Sequence, residues 1–357
     1  MKRKWLQALL TLLSLGLAVT LVVYLPSVVH VLTGKDVSWT QIGTEFAGIG
    51  VGMIGLMALL WIMSLLAYTF VLTGSMPGLT HLQALTLNAA GSAVSNLLPF
   101  GGAAGTALTF AMSRGWGFGT RQIVVMAVVS GIWNTLSRFI LPAVGIMALL
   151  VAGKPLSPTI VNAGWVGALS ILILAAVVVA ALYWDRAAAV LGRVLDRSAK
   201  LLPQKIRPSE HGASTGLEKL RTDTSAIVRH RWPGLTFGMV FFLGLQWAIM
   251  LTIMHATGAY PGFAQSIAVF ALSRVLTTAV ITPSGAGIME AGTVAFLLFF
   301  GVDPAAAAAT ALIFGFWTYT VEIPFGGLAL GAWALLRRRD GRSSATPPPS
   351  ESLKSQP

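Results

Sequence analysis

The sequence contains no cysteine, and only 10% of its 357 residues are charged. Without thiols the chain forms no disulfide and has no thiolate to act as a nucleophile or metal ligand. The shortage of charge accompanies a hydrophobic content of 55% and a mean hydropathy of +0.77, values that exclude a soluble domain of this size. The apolar residues form long continuous runs, which indicate transmembrane helices rather than the short alternating segments of a barrel.

Several sequence signatures of chemistry are also missing. No G-x-x-x-x-G-K-[ST] phosphate loop occurs, so we expect no nucleotide hydrolysis by this chain. No H-E-x-x-H motif or clustered set of His and acidic ligands occurs, which argues against a metalloprotease, and no Ser stands in a recognisable arrangement with a His. We therefore expect no catalytic residue, no metal and no cofactor, and a protein that is not an enzyme.

The net charge of +12 is distributed unevenly along the chain. Apart from Lys35, Lys154, Arg138 and Arg274, every Lys and Arg falls in a segment that we assign to the cytoplasmic side. This is the positive-inside pattern of a multi-pass protein of the plasma (inner) membrane with both termini in the cytoplasm. We expect anionic inner-leaflet lipids, and not nucleic acid, to supply the counter-charge.

The apolar runs predict an all-α polytopic membrane protein with about six full spans and two hairpins. A basic amphipathic connector, or alternatively a solvated linker, joins the two membrane halves. The predicted parts are an N-terminal half at 1–184 with spans at 5–25, 46–72, 122–151 and 159–183, the connector at 185–232, a C-terminal half at 233–336 with spans at 233–258 and 304–336, and a disordered tail at 337–357.

Two segments are too short for two upright crossings of about 20 residues each. The first, 81–113, is interrupted by Pro99 and the glycines Gly101 and Gly102; the second, 262–300, is interrupted at Pro283. We predict that each is a re-entrant helical hairpin, entered and left on the same side of the membrane. An eight-span bundle, in which both hairpins cross fully, is the alternative.

The second interruption is the most unusual stretch of the sequence. Pro283, Gly285 and Gly287 weaken the helix at a depth where water cannot satisfy freed amides. Backbone N–H groups near Ser284 would then point inward at a positive half-helix end, which favours an anion. Glu290 lies in the first turn of the helix that follows, where it is a candidate proton carrier or partner of a cation.

An internal repeat connects the two interruptions. A shift of 184 residues (283 − 99 = 184) pairs Pro99 with Pro283, and it also pairs Arg138 with Glu322. The predicted span between the copies would turn the second copy upside down, as in alternating-access transporters whose broken helices meet near the midplane. Arg138 and Glu322 would then be equivalent and form an ion pair, either for transport or only to lock the halves together. We also expect a further break in the last span, at Pro324.

Polar residues at membrane depth are the candidate functional residues, because a charge there is costly and is usually paired or faces a cavity. Arg274 has two other readings, snorkelling to the outer interface or neutralising Glu290, and intramembrane amides and hydroxyls also serve as contacts between helices. The candidates for substrate binding are Asn96, Pro99, Gly101, Gly102, Arg138, Arg274, Pro283, Ser284, Gly285 and Gly287. The candidates for gating or proton coupling are Glu290 and Glu322.

At Asn96-Leu-Leu-Pro99, and again at Pro283-Ser-Gly-Ala-Gly-Ile-Met-Glu290, the chain resembles the flippase-like membrane family that includes the lysylphosphatidylglycerol synthase transmembrane region and the YbhN-type proteins. The likeness covers roughly residues 5–336. It implies movement of an aminoacylated phospholipid or a lipid-linked sugar between leaflets. Synthases of the family carry a soluble aminoacyl-transferase domain after the membrane part; this sequence ends in a short Pro-rich tail, so we expect the transport part alone, with a separate lipid-modifying enzyme as a partner.

These observations together predict a nucleotide-independent flippase or scramblase for a phospholipid or polyisoprenyl-phosphate lipid, working through a midplane cavity between two hairpins. Half-helix ends after Pro99 and Pro283 would hold the headgroup phosphate, assisted by Arg138 and Arg274. Two alternatives stay open. One is a membrane enzyme or accessory protein acting on polyisoprenyl phosphate, with Glu290 as a general base; the other is a scaffold that recruits a partner through the basic connector.

Overall fold

The computed structural model of the chain describes residues 16–98, 101–153, 210–277 and 282–343, together with residue 13 and scattered positions between 162 and 184. The described part contains helices and turns and no strand. Most of the predicted span at 159–183, the connector before Glu210, the tail beyond Ser343 and the candidate residue Pro99 lie outside the described residues.

Apart from residue 13 and the scattered positions between 162 and 184, the described residues form twelve helices, a 3-10 turn and a π-helical turn, with the segments that connect them. In chain order the helices are α1 (Gly16–Val23), α2 (Leu25–Thr33), α3 (Trp39–Ala47), α4 (Val51–Ser75), α5 (His81–Leu97), α6 (Gly101–Gly115), α7 (Thr120–Val151), α8 (Glu210–Ala256), α9 (Phe263–Leu276), α10 (Ile288–Phe299), α11 (Pro304–Gly315) and α12 (Glu322–Ser343). The 3-10 turn Pro283–Gly285 precedes α10, and the π-helical turn Phe316–Thr320 separates α11 from α12.

Local chemistry sets several of these helix ends. Ser38 and Thr80 each begin a helix with a capping box, in which the hydroxyl and a Gln three residues later bond each other's backbone N–H groups. Asp303 caps α11 and Pro304 occupies its first turn, where the missing N–H costs no hydrogen bond. The sequence signals for these starts are therefore strong and short-range.

Four stretches of the described chain are long and apolar enough to cross a membrane, and α1 with α2 would make a fifth if the pair, which bends by 51°, is one broken span. The prediction of an all-α polytopic membrane protein is confirmed. The four stretches are Val51–Ser75, Thr120–Val151, Lys219–Ala256 and Pro304–Leu336.

The segment 26–44, which connects the predicted spans at 5–25 and 46–72, is mostly helical. α2 begins with a proline in its first turn and ends at Gly34, whose φ of 68° closes the helix in the left-handed conformation. Five residues, 34–38, separate α2 from α3. Pro26 does not interrupt this helix, because it lies in the first turn, where proline is favoured.

The last span is interrupted earlier than predicted. Pro324, expected to mark the break, lies in the first turn of α12, and the interruption is the π-helical turn Phe316–Thr320. A proline cannot donate to the carbonyl one turn before it. The preceding turn adopts the wider i to i+5 bonding, with a 3.0 Å hydrogen bond from the Val321 N–H to the Phe316 carbonyl.

The helix α8 runs through the predicted boundary between connector and membrane half. It continues from Glu210 across Pro233 to Ala256, which is about 70 Å at 1.5 Å per residue and far more than a hydrocarbon core of about 30 Å. Arg121, at the start of α7, forms a salt bridge with Asp223 and donates to the Lys219 carbonyl. The described part of the connector is thus a continuation of a span, held to α7.

The order of helices repeats with the offset of 184 residues. Adding 184 to the bounds of α5, α6 and α7 gives 265–281, 285–299 and 304–335. The helices found there are α9 at 263–276, α10 at 288–299, and α11 with α12 at 304–343. Three consecutive elements of one half therefore have counterparts in the other.

Equivalent helices of the two halves pack against each other antiparallel. Gly74 of α4 meets Leu235 of α8, and further along, Ser64 of α4 accepts a 3.2 Å hydrogen bond from Gln246 of α8. Along this contact the residue numbers of α4 decrease while those of α8 increase, so the two helices run in opposite directions. Helices related in this way share a two-fold axis that lies across them, which is the inverted arrangement predicted from the sequence.

In the other extensive helix contacts, a helix of one half packs against a helix of the other half. α7 packs on α9, where Gly145 leaves room for Ala268, and α5 packs on α12, where Gly326 lies against Ala89. Because α9 is the counterpart of α5 and α12 the counterpart of α7, the two contacts are equivalent. This exchange brings the end of each hairpin's first helix beside a long helix of the other copy.

Candidate functional site

Asn96, in the last turn of α5, connects the first hairpin to the second half of the chain. Its amide oxygen accepts a 2.5 Å hydrogen bond from the Ser284 hydroxyl. Its amide nitrogen donates to Glu322 Oε2 at 3.0 Å and to the Tyr319 carbonyl at 3.2 Å. The two helix interruptions predicted from the sequence therefore meet at one point.

The interruption of the last span makes the Tyr319 carbonyl available to Asn96. In the π-helical register the carbonyl of residue 319 faces the backbone nitrogen of residue 324, which is proline and carries no hydrogen. Asn96 supplies the missing donor from another helix. Single π-helical turns are frequent at functional sites, and this one adjoins both Asn96 and Glu322.

Glu322 is hydrogen-bonded to the tip of the first hairpin and does not form the expected ion pair with Arg138. It begins α12, is half-buried, and accepts hydrogen bonds from Asn96 and from Ser92, one helical turn before Asn96. The salt bridges between described residues are His30–Asp36 and Arg121–Asp223, so the predicted pairing of Arg138 with Glu322 was wrong.

The packing explains the missing ion pair. Arg138 lies on α7, which packs on α9, whereas Glu322 begins α12, which packs on α5. The pseudo-two-fold axis therefore gives the two residues equivalent surroundings at separate places. Arg274, on α9, is the cation that interacts electrostatically with Glu322. Arg138 in turn interacts unfavourably with the like charge of Arg274.

The turn at the second interruption has an unusual backbone. Ser284 has a φ of 50°, the left-handed region that costs a residue with a Cβ about 1–3 kcal/mol. Gly285, at φ 74°, lies so close to α9 that a Cβ would stand 2.7 Å from the Leu276 carbonyl oxygen. Pro283 opens this 3-10 turn. The geometry holds the Ser284 hydroxyl toward Asn96.

A carboxylate of the chain itself occupies the start of α10. Glu290 is 3% exposed, and its Oε2 accepts a 2.7 Å hydrogen bond from the Gly287 N–H. Its other oxygen lies against Gly315, where a Cβ would collide with it and stand 2.8 Å from the Tyr319 hydroxyl. An anion at the Gly287 amide, as considered from the sequence, would have to displace Glu290.

The glycines of the first hairpin differ in what they do. Gly101 begins α6 pressed against the backbone of Ser95, whose hydroxyl donates to the Gly101 carbonyl at 3.2 Å. A Cβ there would strike backbone atoms, so only glycine permits this close turn. Gly102 has no atom within 4 Å of its Cβ position. Gly101 therefore shapes the hairpin, and Gly102 stands in open space.

Arg138 and Arg274 come together in a pocket between α7, α8 and α9. The pocket is small, with a cavity volume of about 30 Å³, and it is partly open to the surroundings. Asn134 also lines it and donates a 2.7 Å hydrogen bond to the Tyr68 hydroxyl. The remaining lining residues are Ser137, Leu141, Met239, Phe242, Leu243 and Thr277.

Sequence reasoning missed Ser92, Tyr319 and Thr277 as members of these sites. Ser92 lies four residues before Asn96 and so shares its helix face, a spacing that could have drawn attention to it. Tyr319 contributes a backbone carbonyl, for which the residue type carries no signal. Among the described residues no three His, Asp or Glu side chains are grouped so as to hold a metal ion.

Comparison with known proteins gives one family match. The family model described as the lysylphosphatidylglycerol synthase TM region matches residues 9–326. The match includes both hairpins, every candidate residue named above, and the second copy of the repeat as far as residue 326. A search of curated proteins found no match.

Proposed function

The chain belongs to the lysylphosphatidylglycerol synthase transmembrane family, and on that premise we propose that it is a nucleotide-independent flippase or scramblase that moves a lipid headgroup between the two leaflets without changing it chemically. Family membership makes it a membrane protein of lipid or cell-envelope metabolism. Transport is the more specific function that the site geometry supports best.

The contact of Asn96 with Ser284 and Glu322 is the observation that carries the proposal. It joins the tips of two interrupted segments that belong to inverted copies of one repeat. Inverted-repeat transporters build their substrate sites at such an interface, from broken helices near the bilayer midplane. Irregular backbone at that depth is tolerated only when it is buried in protein or lines a wet cavity.

The headgroup passes between the two hairpins while the acyl chains remain in the lipid. In the present conformation the hydrogen bond between Ser284 and Asn96 closes this route, so passage requires the tips to separate. The strained backbone of Ser284 offsets part of the free energy that the closing contacts contribute. Glu322, which bonds Asn96, and Glu290, which holds the start of α10, are the groups that gate the separation or couple it to protons.

We assign the protein to the plasma (inner) membrane, with both termini in the cytoplasm and the basic start of α8 on anionic inner-leaflet lipids. The two hairpins are re-entrant. Helix lengths support this, since α5 has 17 residues, α6 15, α9 14 and α10 12, all short of the roughly 20 residues of an upright crossing. A separate enzyme would then make or consume the transported lipid.

The absence of cysteine allows a direct test. In the double variant Asn96→Cys with Ser284→Cys, two side chains that are in contact can be joined by oxidation. Proteoliposomes carrying headgroup-labelled phospholipid would be mixed with an impermeant quencher, and the protected fraction followed with time. We expect the reduced double variant to exchange lipid, the oxidised form to stop, and reduction to restore exchange.

Each single-cysteine variant is the matched control, because oxidation within one molecule cannot join its hairpins. Exchange that continues at full rate through the oxidised double variant would overturn a route between the tips. Mass spectrometry of the incubated lipids separates transport from the enzyme alternative, since a chemical change in the lipid would contradict transport alone.

A further inference from the structure

Two arginines from different repeats face the same pocket at membrane depth. Arg138 comes from α7 and Arg274 from α9, and the charge of Arg138 acts unfavourably on that of Arg274. With the part of the chain that the structure describes, neither guanidinium forms a hydrogen bond or a salt bridge. A charge at membrane depth is costly unless it is paired, and each guanidinium offers five N–H donors, so we expect an anion to bind between the two arginines.

The accessibility of the two arginines leaves room for a ligand. Arg138 is exposed and Arg274 is half-buried. Arg138 lies about 27 Å along α7 from its start at Thr120, by 1.5 Å per residue, which is too far for the side chain to reach the cytoplasmic end of the helix. An anion could therefore approach from the side of Arg138 and be held by both groups.

The rest of the pocket lining is both polar and apolar. Asn134, Ser137 and Thr277 contribute amide and hydroxyl groups, and Leu141, Met239, Phe242 and Leu243 contribute apolar side chains. Such a lining suits an amphiphile whose phosphate lies on the arginines and whose first chain carbons contact the apolar side chains. A free phosphate ion would leave these apolar side chains without a partner.

The charges around the pocket decide which headgroup fits. None of its lining residues is Asp or Glu. Glu322, whose charge acts on Arg274, already accepts hydrogen bonds from Asn96 and Ser92. A headgroup amine would therefore find two positive charges and no free carboxylate, whereas a phosphate finds two bidentate donors.

We propose that the pocket between Arg138 and Arg274 binds the phosphate of a lipid with a net negative headgroup, and that it disfavours a headgroup carrying an added amine. The inference rests on the proposed function and specifies its substrate class. Preference for an anionic lipid is the property that a family-level reading of an aminoacylated substrate would not predict.

Binding to the purified protein tests the proposal independently of transport. The probes are fluorescent phosphatidylglycerol, the same lipid with a lysyl group on its glycerol, and inorganic phosphate as a competitor, each titrated in neutral detergent. We expect phosphatidylglycerol to bind at least about tenfold more tightly than the lysylated lipid, and Arg138→Gln or Arg274→Gln each to weaken it about tenfold, the loss that one charge-assisted hydrogen bond represents.

Two further variants keep the result interpretable. Arg121→Gln removes an arginine of α7 that lies outside the pocket and should leave binding unchanged. Arg138→Lys keeps the charge but not the bidentate fork, so it should bind more tightly than Arg138→Gln even if both lower the thermal stability.

The outcomes separate this inference from the proposed function. Equal affinity for the two lipids, or binding that does not depend on either arginine, would overturn the pocket assignment. Displacement of the lipid by millimolar inorganic phosphate, with no dependence of affinity on the lipid chain, would assign the site to free phosphate and overturn the lipid assignment. Arginine-dependent binding of the anionic lipid without any leaflet exchange would support the pocket and overturn transport.

Discussion

Substitution of Asn96 measures the free energy that its hydrogen bonds contribute to holding the hairpin tips together. Asn96→Ala removes three bonds, to Ser284, Glu322 and Tyr319. Side-chain hydrogen bonds within membranes contribute about 0.6 kcal/mol on average and at most about 1.7. Three of them sum to about 2 kcal/mol, and leaving the Tyr319 carbonyl and Glu322 with fewer donors adds about 1 kcal/mol or more. We expect a loss of about 3 kcal/mol.

The free energy of unfolding would be measured by titrating the purified protein from mild detergent into a denaturing one. Asn88→Ala is the matched control, since Asn88 lies two turns earlier on α5 and makes no side-chain hydrogen bond to any residue that the structure describes. Asn96→Asp refines the test: it keeps the acceptor for Ser284, loses both donated bonds and adds a carboxylate beside Glu322. It should destabilise at least as much as alanine.

The same variant links stability to transport. If the tips must separate, a contact that is lost on opening stabilises the closed form, so Asn96→Ala should accelerate headgroup exchange. A contribution of about 2 kcal/mol corresponds to at most about thirty-fold in rate. Asn96→Ala that is no less stable than Asn88→Ala would refute the energetic reasoning, and slower exchange in a folded variant would refute the closing role of the contact.

Three further changes test other parts of the structure. Gly326→Ala should destabilise the protein by about 1–3 kcal/mol, because the Cβ would strike the backbone of α5. Gly327→Ala is the control: its Cβ position is open, so the change should be neutral or stabilising. Equal effects of the two changes on unfolding in detergent would contradict this packing. Glu290→Gln keeps an oxygen for the Gly287-facing cap, so folding should persist while any response of exchange to a pH gradient is lost; an unchanged response would remove this carboxyl from proton coupling. Reversing Arg121 or Asp223 alone should cost about 0.2–1 kcal/mol, as exposed pairs do, and exchanging both charges should recover it in the same assay.

Part of the candidate site could be predicted because its signals are local. Pro283 and the glycines after it interrupt a helix wherever they stand, and Glu290 three residues after Gly287 is the spacing of a capping box. The offset of 184 residues likewise needs only matching residue types. These features correctly located the second interruption and the repeat.

The contacts between distant residues could not be predicted in the same way. Asn96 and Ser284 are 188 positions apart, and their bond depends on the end of α5 facing the turn before α10. Arg138 and Glu322 match in the repeat but lie beside different helices, so correspondence in sequence did not mean proximity. The π-helical turn 316–320 was missed because the proline that causes it lies four residues after its end.

Composition, hydropathy and the positions of proline and glycine determined the class of this protein, its long spans, its two interrupted segments and the inverted repeat. Those properties arise within one helical turn or one span, where each residue acts on its near neighbours. Only the tertiary structure decided that Asn96 joins Ser284 and Glu322, and that Arg138 shares a pocket with Arg274. These contacts depend on how each helix is rotated about its axis and on which helix it packs against. The packing of the whole bundle sets both.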